Sequence, residues 1–281
     1  MPVPLRNVLA ALDARYDPAL AEAWDAVGLV CGDPQEPVRR VLFAVDPTTA
    51  VVDETLEIGA DLLVTHHPLL LTPVHGVPAH DPKGRLVHRL VRGGAALFVA
   101  HTNADRAPAY GVNDALAASV GLVDAVPLEP APTDPRAGLG RVGRLPEPVT
   151  LREFAERVAG VLPVTAGGVR AAGDPERPVT TVAVCGGSGG SLVHAAGASG
   201  ADVLLTSDLK HHAVSEALES NGPALCDVAH FATEWPWLPI AADVLRRDLS
   251  DQVEVAVSRR RTDPWTWHVG QHGDPAGRPA G

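Results

Sequence analysis

Two hydrophobic rhythms alternate along this chain. Short, nearly unbroken apolar runs end in polar residues: VRRVLFAVD (38–46), DLLVTHHP (61–68), AALFVAHTNAD (95–105), VTTVAVCGGSGGS (179–191), ADVLLTSD (201–208) and ALCDVAHFATE (224–234). Runs of that length and β-branched content predict buried strands. Between them lie stretches with helical spacing: 5–15, 48–60, 84–94, 111–122, 148–162 and 209–218. Thr48 or Thr49 is placed to cap the second, and Thr150 with Glu153 forms a capping box for the fifth. Strand–helix alternation predicts an α/β fold with mixed sheets covered by helices. EPAPTDPRAG (129–138) reads as a linker by composition. The division expected is a first lobe over 1–127, a second over 128–261, and a disordered polar tail over 262–281.

The halves also match each other. GADLLVT (59–65) lines up with GADVLLT (200–206), and GAALFVAHTNAD (94–105) with GPALCDVAHFATE (222–234). The alignment sets His101 against His230 and Asp105 against Glu234. An internal duplication would give two similar lobes, with their C-terminal strand ends meeting in a shared cleft.

Composition narrows the class. The chain has 281 residues, is 46% hydrophobic and only 4% aromatic, so its core is aliphatic. A net charge of −11 and no basic cluster beyond SRRRT (258–262) argue against a nucleic-acid-binding face. Three scattered cysteines form no C-x-x-C pair and point to a reducing compartment. No apolar stretch resembles a signal peptide or membrane span. The expectation is a cytoplasmic protein without a membrane partner.

Five residues fall at strand ends: His66, His67, Asp105, His230 and Glu234. Imidazole plus carboxylate is the ligand set of Zn, Mn and Fe sites. Neighbouring side chains on a strand diverge, so His66 and His67 suit two different ions. A carboxylate can bridge two ions, and Glu234 is the candidate. Each histidine alone would read as a hydrogen-bonded structural residue; convergence of three segments favours the metal. The acid four residues after each histidine reads as a loop rather than a helical pair, since Pro108 and Pro236 lie just beyond. His101 mirrors His230 in the repeat, so it is either a ligand or a residue orienting Asp105, and the second reading is preferred. Asp208, Lys210 and His212 (SDLKHH) are candidate substrate contacts or proton carriers, with a helix cap an equal reading of Asp208. GGSGGS (186–191) reads as a flexible turn, since it lacks the lysine and spacing of a phosphate loop. Trp235 and Trp237 read as packing, and the remaining histidines as incidental.

WDAVGLVCGDP (24–34), DLLVTHHPLL, AHTNAD, SDLKHH and AHFATE occur in the order seen in one family. The chain resembles the dinuclear metal-centre hexameric proteins, also called NGG-interacting-factor-three-like, many of them named GTP cyclohydrolase 1 type 2 homologues. The resemblance runs from about Leu5 to Val257. It implies a toroidal homohexamer of two-lobed subunits. It also implies two divalent ions per subunit, held by His66, His67, Asp105, His230 and a bridging Glu234. The chain lacks the extra domain that some members insert between the lobes. It departs at Ala26, where Asn is common, and at His211, where Tyr is common. The function implied is a metal-dependent hydrolase attacking a nucleotide such as GTP. The alternatives are a phosphoester hydrolase with another substrate, or a non-catalytic metal-binding scaffold or regulatory partner.

Overall fold

The computed structural model of the chain describes residues 2–270. The first half runs β1 (Val3–Pro4), α1 (Leu5–Arg15), β2 (Gly28–Cys31), β3 (Pro37–Val38), β4 (Arg40–Ala44), α2 (Thr49–Glu57) and β5 (Leu62–Thr65). It continues through α3 (Pro82–Arg92), β6 (Ala96–Val99), α4 (Thr102–Asp105) and α5 (Val112–Ser119). The second half runs β7 (Val123–Pro130), β8 (Gly138–Thr150), α6 (Leu151–Val161), β9 (Val169–Ala172), β10 (Pro178–Ser188), α7 (Val193–Ala198) and β11 (Val203–Ser207). It ends with α8 (His211–Glu219), β12 (Ala224–Val228), α9 (His230–Glu234), α10 (Trp237–Asp248) and β13 (Glu254–Val257).

Two mixed sheets result. The five-stranded sheet has the order β13-β4-β5-β6-β2, and the six-stranded one β7-β8-β10-β11-β12-β9. At the centre of each lie three parallel strands in sequence order, β4-β5-β6 and β10-β11-β12, with an antiparallel edge beside the third. These strands are apolar because helices cover both faces. Val41, Phe43, Leu62, Val64 and Phe98 pack towards α1 and α10, whereas Leu42, Leu63 and Leu97 pack towards α2 and α3. The strand period of two divides them. Val182, Val184, Val203 and Leu205 face α5 and α6 in the same way.

The repeated sequence makes repeated hydrogen bonds. Asp61 Oδ2 accepts from the amides of Arg39 and Arg40, and Asp202 Oδ2 from those of Thr180 and Thr181. The preceding Gly59 and Gly200 both have positive φ, 64° and 77°, which glycine adopts without strain.

The halves are interlaced. Helix α5 lies against β8 and β10 of the second sheet. In return, α10 packs on the first sheet and β13 pairs in parallel with β4. The boundary drawn at 127/128 falls inside β7.

Two local expectations change. EPAPTDPRAG is not a linker: it is a hairpin between β7 and β8, with Glu129 opposite Leu139 and Pro130 opposite Gly138. Pro130 is tolerated because β7 is an edge strand, and Pro132 and Pro135 lie in the connecting loop. The acids after His101 and His230 lie on short helices, α4 and α9, rather than in loops. Residues 262–270 contain no helix or strand, and the rest of the expected tail, 271–281, lies outside the described residues. Among the described residues no helix is long and apolar enough to cross a membrane.

Candidate metal centre

The C-terminal ends of β5, β6, β11 and β12 converge. His66 and His67 follow β5, and their amides continue its pairing by donating to Ala44 and Val45 carbonyls at 3.2 and 2.9 Å. Asp105 closes α4, one turn after His101. His230 opens α9, and Glu234 closes it, an i,i+4 pair whose Nε2 and Oε1 lie 2.8 Å apart.

Every imidazole is anchored through Nδ1. The acceptors are the Ala100 carbonyl for His66 at 2.9 Å, Asp46 for His67 at 2.7 Å, Asp25 for His101 at 2.8 Å, and Asp208 for His230 at 2.6 Å. This leaves each Nε2 to face inward, the arrangement that orients metal-binding histidines. Glu234 sits among them: Oε1 is 3.4 Å from His66 Nε2 and Oε2 is 3.2 Å from His67 Nε2. Asp105 Oδ1 lies 3.7 Å from His66 Nε2. Two sets of ligand atoms fall within 4.8 Å of one another: His66, His67 and His101, and His67, His230 and Glu234.

The chemistry of the donors fits a cation. His66 Nε2, Asp105 Oδ1 and Glu234 Oε2 are buried and have no hydrogen-bond partner. Three orphaned acceptors in one place are costly unless something positive lies between them.

The family described as Duf34/NIF3 (NGG1p interacting factor 3) matches residues 3–264. The chain belongs to this NIF3 family. A Streptomyces coelicolor protein named "GTP cyclohydrolase 1 type 2 homolog" is 54% identical over 271 residues, covering 94% of each chain. A Mycobacterium bovis protein of the same name is 38% identical, covering 94% of this chain and 97% of its own. That alignment spans 372 positions, more than this chain's 281 residues, so the mycobacterial protein carries a segment without a counterpart here. A solved Staphylococcus aureus protein superposes with a TM-score of 0.87 at 27% identity, covering 95% of this chain and 100% of its own.

Charge is balanced within the NIF3-family cluster by protons when no ion is bound. Burial opposes a charged His67, yet Glu234 and Asp46 push its pKa up to about 11. His230 rises to about 9: burial again opposes, and Glu234 and Asp208 win. Burial would raise Glu234, but the rings of His67, His66 and His230 hold it well below the usual carboxylate range. Asp105 moves upward, through burial first and then despite the pull of His66. Metal ions displace such protons on binding.

His101 does not orient Asp105 through its ring. Its Nδ1 pairs with Asp25, and its ring lies 5.1 Å from that of His66. Asp208 holds His230 and does not cap α8, whose N-cap is Lys210. Lys210 and His212 are exposed on that helix start. GGSGGS is not a free turn: it forms the end of β10 and the turn after it, with its amides hydrogen-bonded. The amides of Gly186, Gly187 and Gly189 donate to Asn113 Oδ1, Thr233 Oγ1 and Thr206 Oγ1. A Cβ on Gly187 would lie 2.6 Å from Glu234 Oε1 and 3.0 Å from His230 Nε2. Trp237 is packing as expected, fully buried beside His66 with its N–H donated to Tyr16 Oη.

Three contributors escaped sequence reading. Asp25 and Asp46 anchor two of the rings. Asp25 lies inside the WDAVGL motif and Asp46 ends the run VRRVLFAVD, positions equivalent in kind to those of the ligands. Asn113, buried on α5, accepts from Gly186 N–H and donates to the Asp105 carbonyl at 2.9 Å. Nothing in a helical pattern marks such a bridge.

Proposed function

We propose that the chain binds two divalent ions and hydrolyses a nucleotide substrate, with ring opening of GTP the reaction favoured by the names of its relatives. One observation carries the metal: His66 Nε2, Asp105 Oδ1 and Glu234 Oε2 are buried together without partners. In this reading His66, His101 and Asp105 would hold one ion and His67 and His230 the other, with Glu234 between them. Zn, Fe and Mn all suit this donor set. Bound ions supply Lewis acidity and a water acidic enough to attack at neutral pH.

The protein's part is positioning. Asp25, Asp46, Asp208 and the Ala100 carbonyl hold each ring through Nδ1, which leaves the four Nε2 atoms as the groups that would hold the ions. Trp237 seals the site beneath His66 against water. His67 and His230 also line a cleft of about 720 Å³ that gives a substrate access. In GTP ring opening, water adds at the purine C8 and formate leaves after a second addition. Asp208 is kept as a positioning group. Lys210 and His212, exposed at the start of α8, stay candidate substrate contacts or proton carriers in this reading.

A toroidal homohexamer in the cytoplasm belongs to the same reading. The three unpaired cysteines, Cys31, Cys185 and Cys226, favour the reducing compartment. Analytical ultracentrifugation tests the assembly. The function is tested by loading the protein with Zn, Mn or Fe(II), counting ions, and assaying formate from GTP. Two ions per subunit and formate release are expected. Full occupancy without turnover of GTP or any phosphoester would leave a metal-binding scaffold in its place.

A further inference from the structure

Two of the carboxylates that hold the rings share one pattern. Asp25 Oδ1 lies 2.8 Å from His101 Nδ1, and its Oδ2 accepts from the Thr102 hydroxyl and, at 3.0 Å, from the Thr102 amide. Asp46 Oδ1 lies 2.7 Å from His67 Nδ1, and its Oδ2 accepts from the Thr262 hydroxyl. Each is a threonine–aspartate–histidine chain. A carboxylate held at both oxygens has its plane fixed, and it orients the ring bonded to it.

The two chains differ in origin. Thr102 follows His101 directly and opens the same short helix, α4. Its aspartate side chain is fully buried. Thr262 comes from beyond β13, in the stretch read from the sequence as a polar tail. Its aspartate side chain is 26% exposed, so water competes for the second oxygen. A strap tied to both halves brings Thr262 there. Ser258 donates its amide to the Phe43 carbonyl at 2.8 Å and its hydroxyl to Glu54, on α2, at 2.7 Å. Arg260 pairs with Glu54 at 3.2 Å. Arg261 reaches the Val164 carbonyl, between α6 and β9, at 3.4 Å. Beyond Thr262, Asp263 is buried and accepts from the Trp265 amide at 3.2 Å.

We infer that Thr262 is a positioning residue for His67: its hydroxyl fixes the Asp46 carboxylate, and the strap it lies on thereby belongs to the metal centre. Thr262, Asp46 and His67 line the same cleft, so the chain runs along its wall from strap to ring. This role rests on the proposed metal binding only for its effect on ions; the hydrogen-bonded chain stands without it. When the hydroxyl is removed, Asp46 can turn its carboxylate towards water, and the His67 ring loses its fixed direction. The effect is confined to the ion that His67 and His230 would hold, because His66 and His101 have anchors of their own.

Two measurements test this. In the first, Zn is titrated into stripped protein against a chromophoric chelator. The proteins are wild type, Thr262→Val, Thr262→Ser and Arg260→Ala. Thr262→Val keeps the shape and removes the donor. It is expected to weaken one ion about 10–100-fold and to leave the other within about twofold. Thr262→Ser should bind both as wild type does. So should Arg260→Ala, which removes an exposed ion pair of the strap without touching Asp46. Two unchanged ions, two equally weakened ions, no rescue by serine, or the same loss in Arg260→Ala would each overturn the role. Circular dichroism checks the fold, and Thr262→Ala repeats the test where valine is not accommodated. The second measurement is proton NMR of metal-free protein carrying isotope-labelled histidine. The His67 Nδ1–H signal, assigned by its absence in His67→Gln, is expected to be sharp in wild type and Thr262→Ser and exchange-broadened in Thr262→Val. An equally sharp signal in Thr262→Val rejects the role whatever the ions do. A broadened signal there, in a protein whose wild type binds no ion, keeps the role and rejects the metal centre.

Discussion

Glu234 is the residue on which the centre turns, because its carboxylate faces imidazoles from both halves within 3.4 Å. Glu234→Gln keeps the shape and removes the charge. The variant is expected to fold, by circular dichroism, and to lose most bound ion by elemental analysis; full occupancy would remove its bridging role. Gly187 is a second sensitive point. Its φ of 66° and the 2.6 Å approach to Glu234 leave no room for a side chain. Gly187→Ala should cost about 1–2 kcal/mol in denaturant melts from the left-handed backbone alone. It should also lower metal content by displacing Glu234. The raised histidines give a pH signature. In stripped protein, the stability contributed by charged His67 and His230 is full below the ordinary value of 6.5 and is lost as pH rises through about 9 and about 11. Thermal scans of chelator-treated protein should show a midpoint falling from about pH 7 to about pH 9.5, and bound metal should largely abolish that fall. That His66, His67, Asp105, His230 and Glu234 would gather in one place was legible in sequence because strand ends in an α/β fold are where side chains collect. Their anchors were not, because Asp25 and Asp46 look like any turn aspartate until the ring they hold is in place.

At the scale of elements, α5 does more than cover a sheet. Asn113 ties it to the Asp105 carbonyl and to the Gly186 amide, joining α4 to β10. Asn113→Ala leaves two buried backbone groups without partners and should cost about 1–3 kcal/mol in urea unfolding. Most of the helices and the central strands follow directly from their periodicity: α1 spans Leu5–Arg15 as its spacing predicts, and the Thr150–Glu153 box caps α6. Strands β7 and β8 were illegible for a physical reason. Their prolines and glycines mimic a linker, and β7 tolerates its prolines as the edge strand, where fewer backbone donors are needed. The helices α4 and α9 are single turns, too short for any hydrophobic period to register.

For the whole molecule, exchange of elements between halves makes the lobes interdependent. Without α10 and β13, the first sheet loses the cover over Phe43 and Val64 and the partner of β4. Residues 1–127 expressed alone are therefore expected to be insoluble or molten, with no sharp thermal transition. A cooperative melt of that fragment would show the first lobe to be autonomous. Sequence repetition correctly located two sheets with equivalent central strands. It could not reveal the interlacing, since apolar faces on α5 and α10 are the same whichever sheet they meet.

That interlacing also sets an order of events during biosynthesis. His66, His67, His101 and Asp105 leave the ribosome long before Glu234, and the strand that completes their sheet, β13, emerges later still. A nascent chain thus displays histidines whose central carboxylate has not been made. On the proposed function, ions held in the final geometry would be acquired after translation, and the metal supply at that moment, rather than during synthesis, would decide which element is bound.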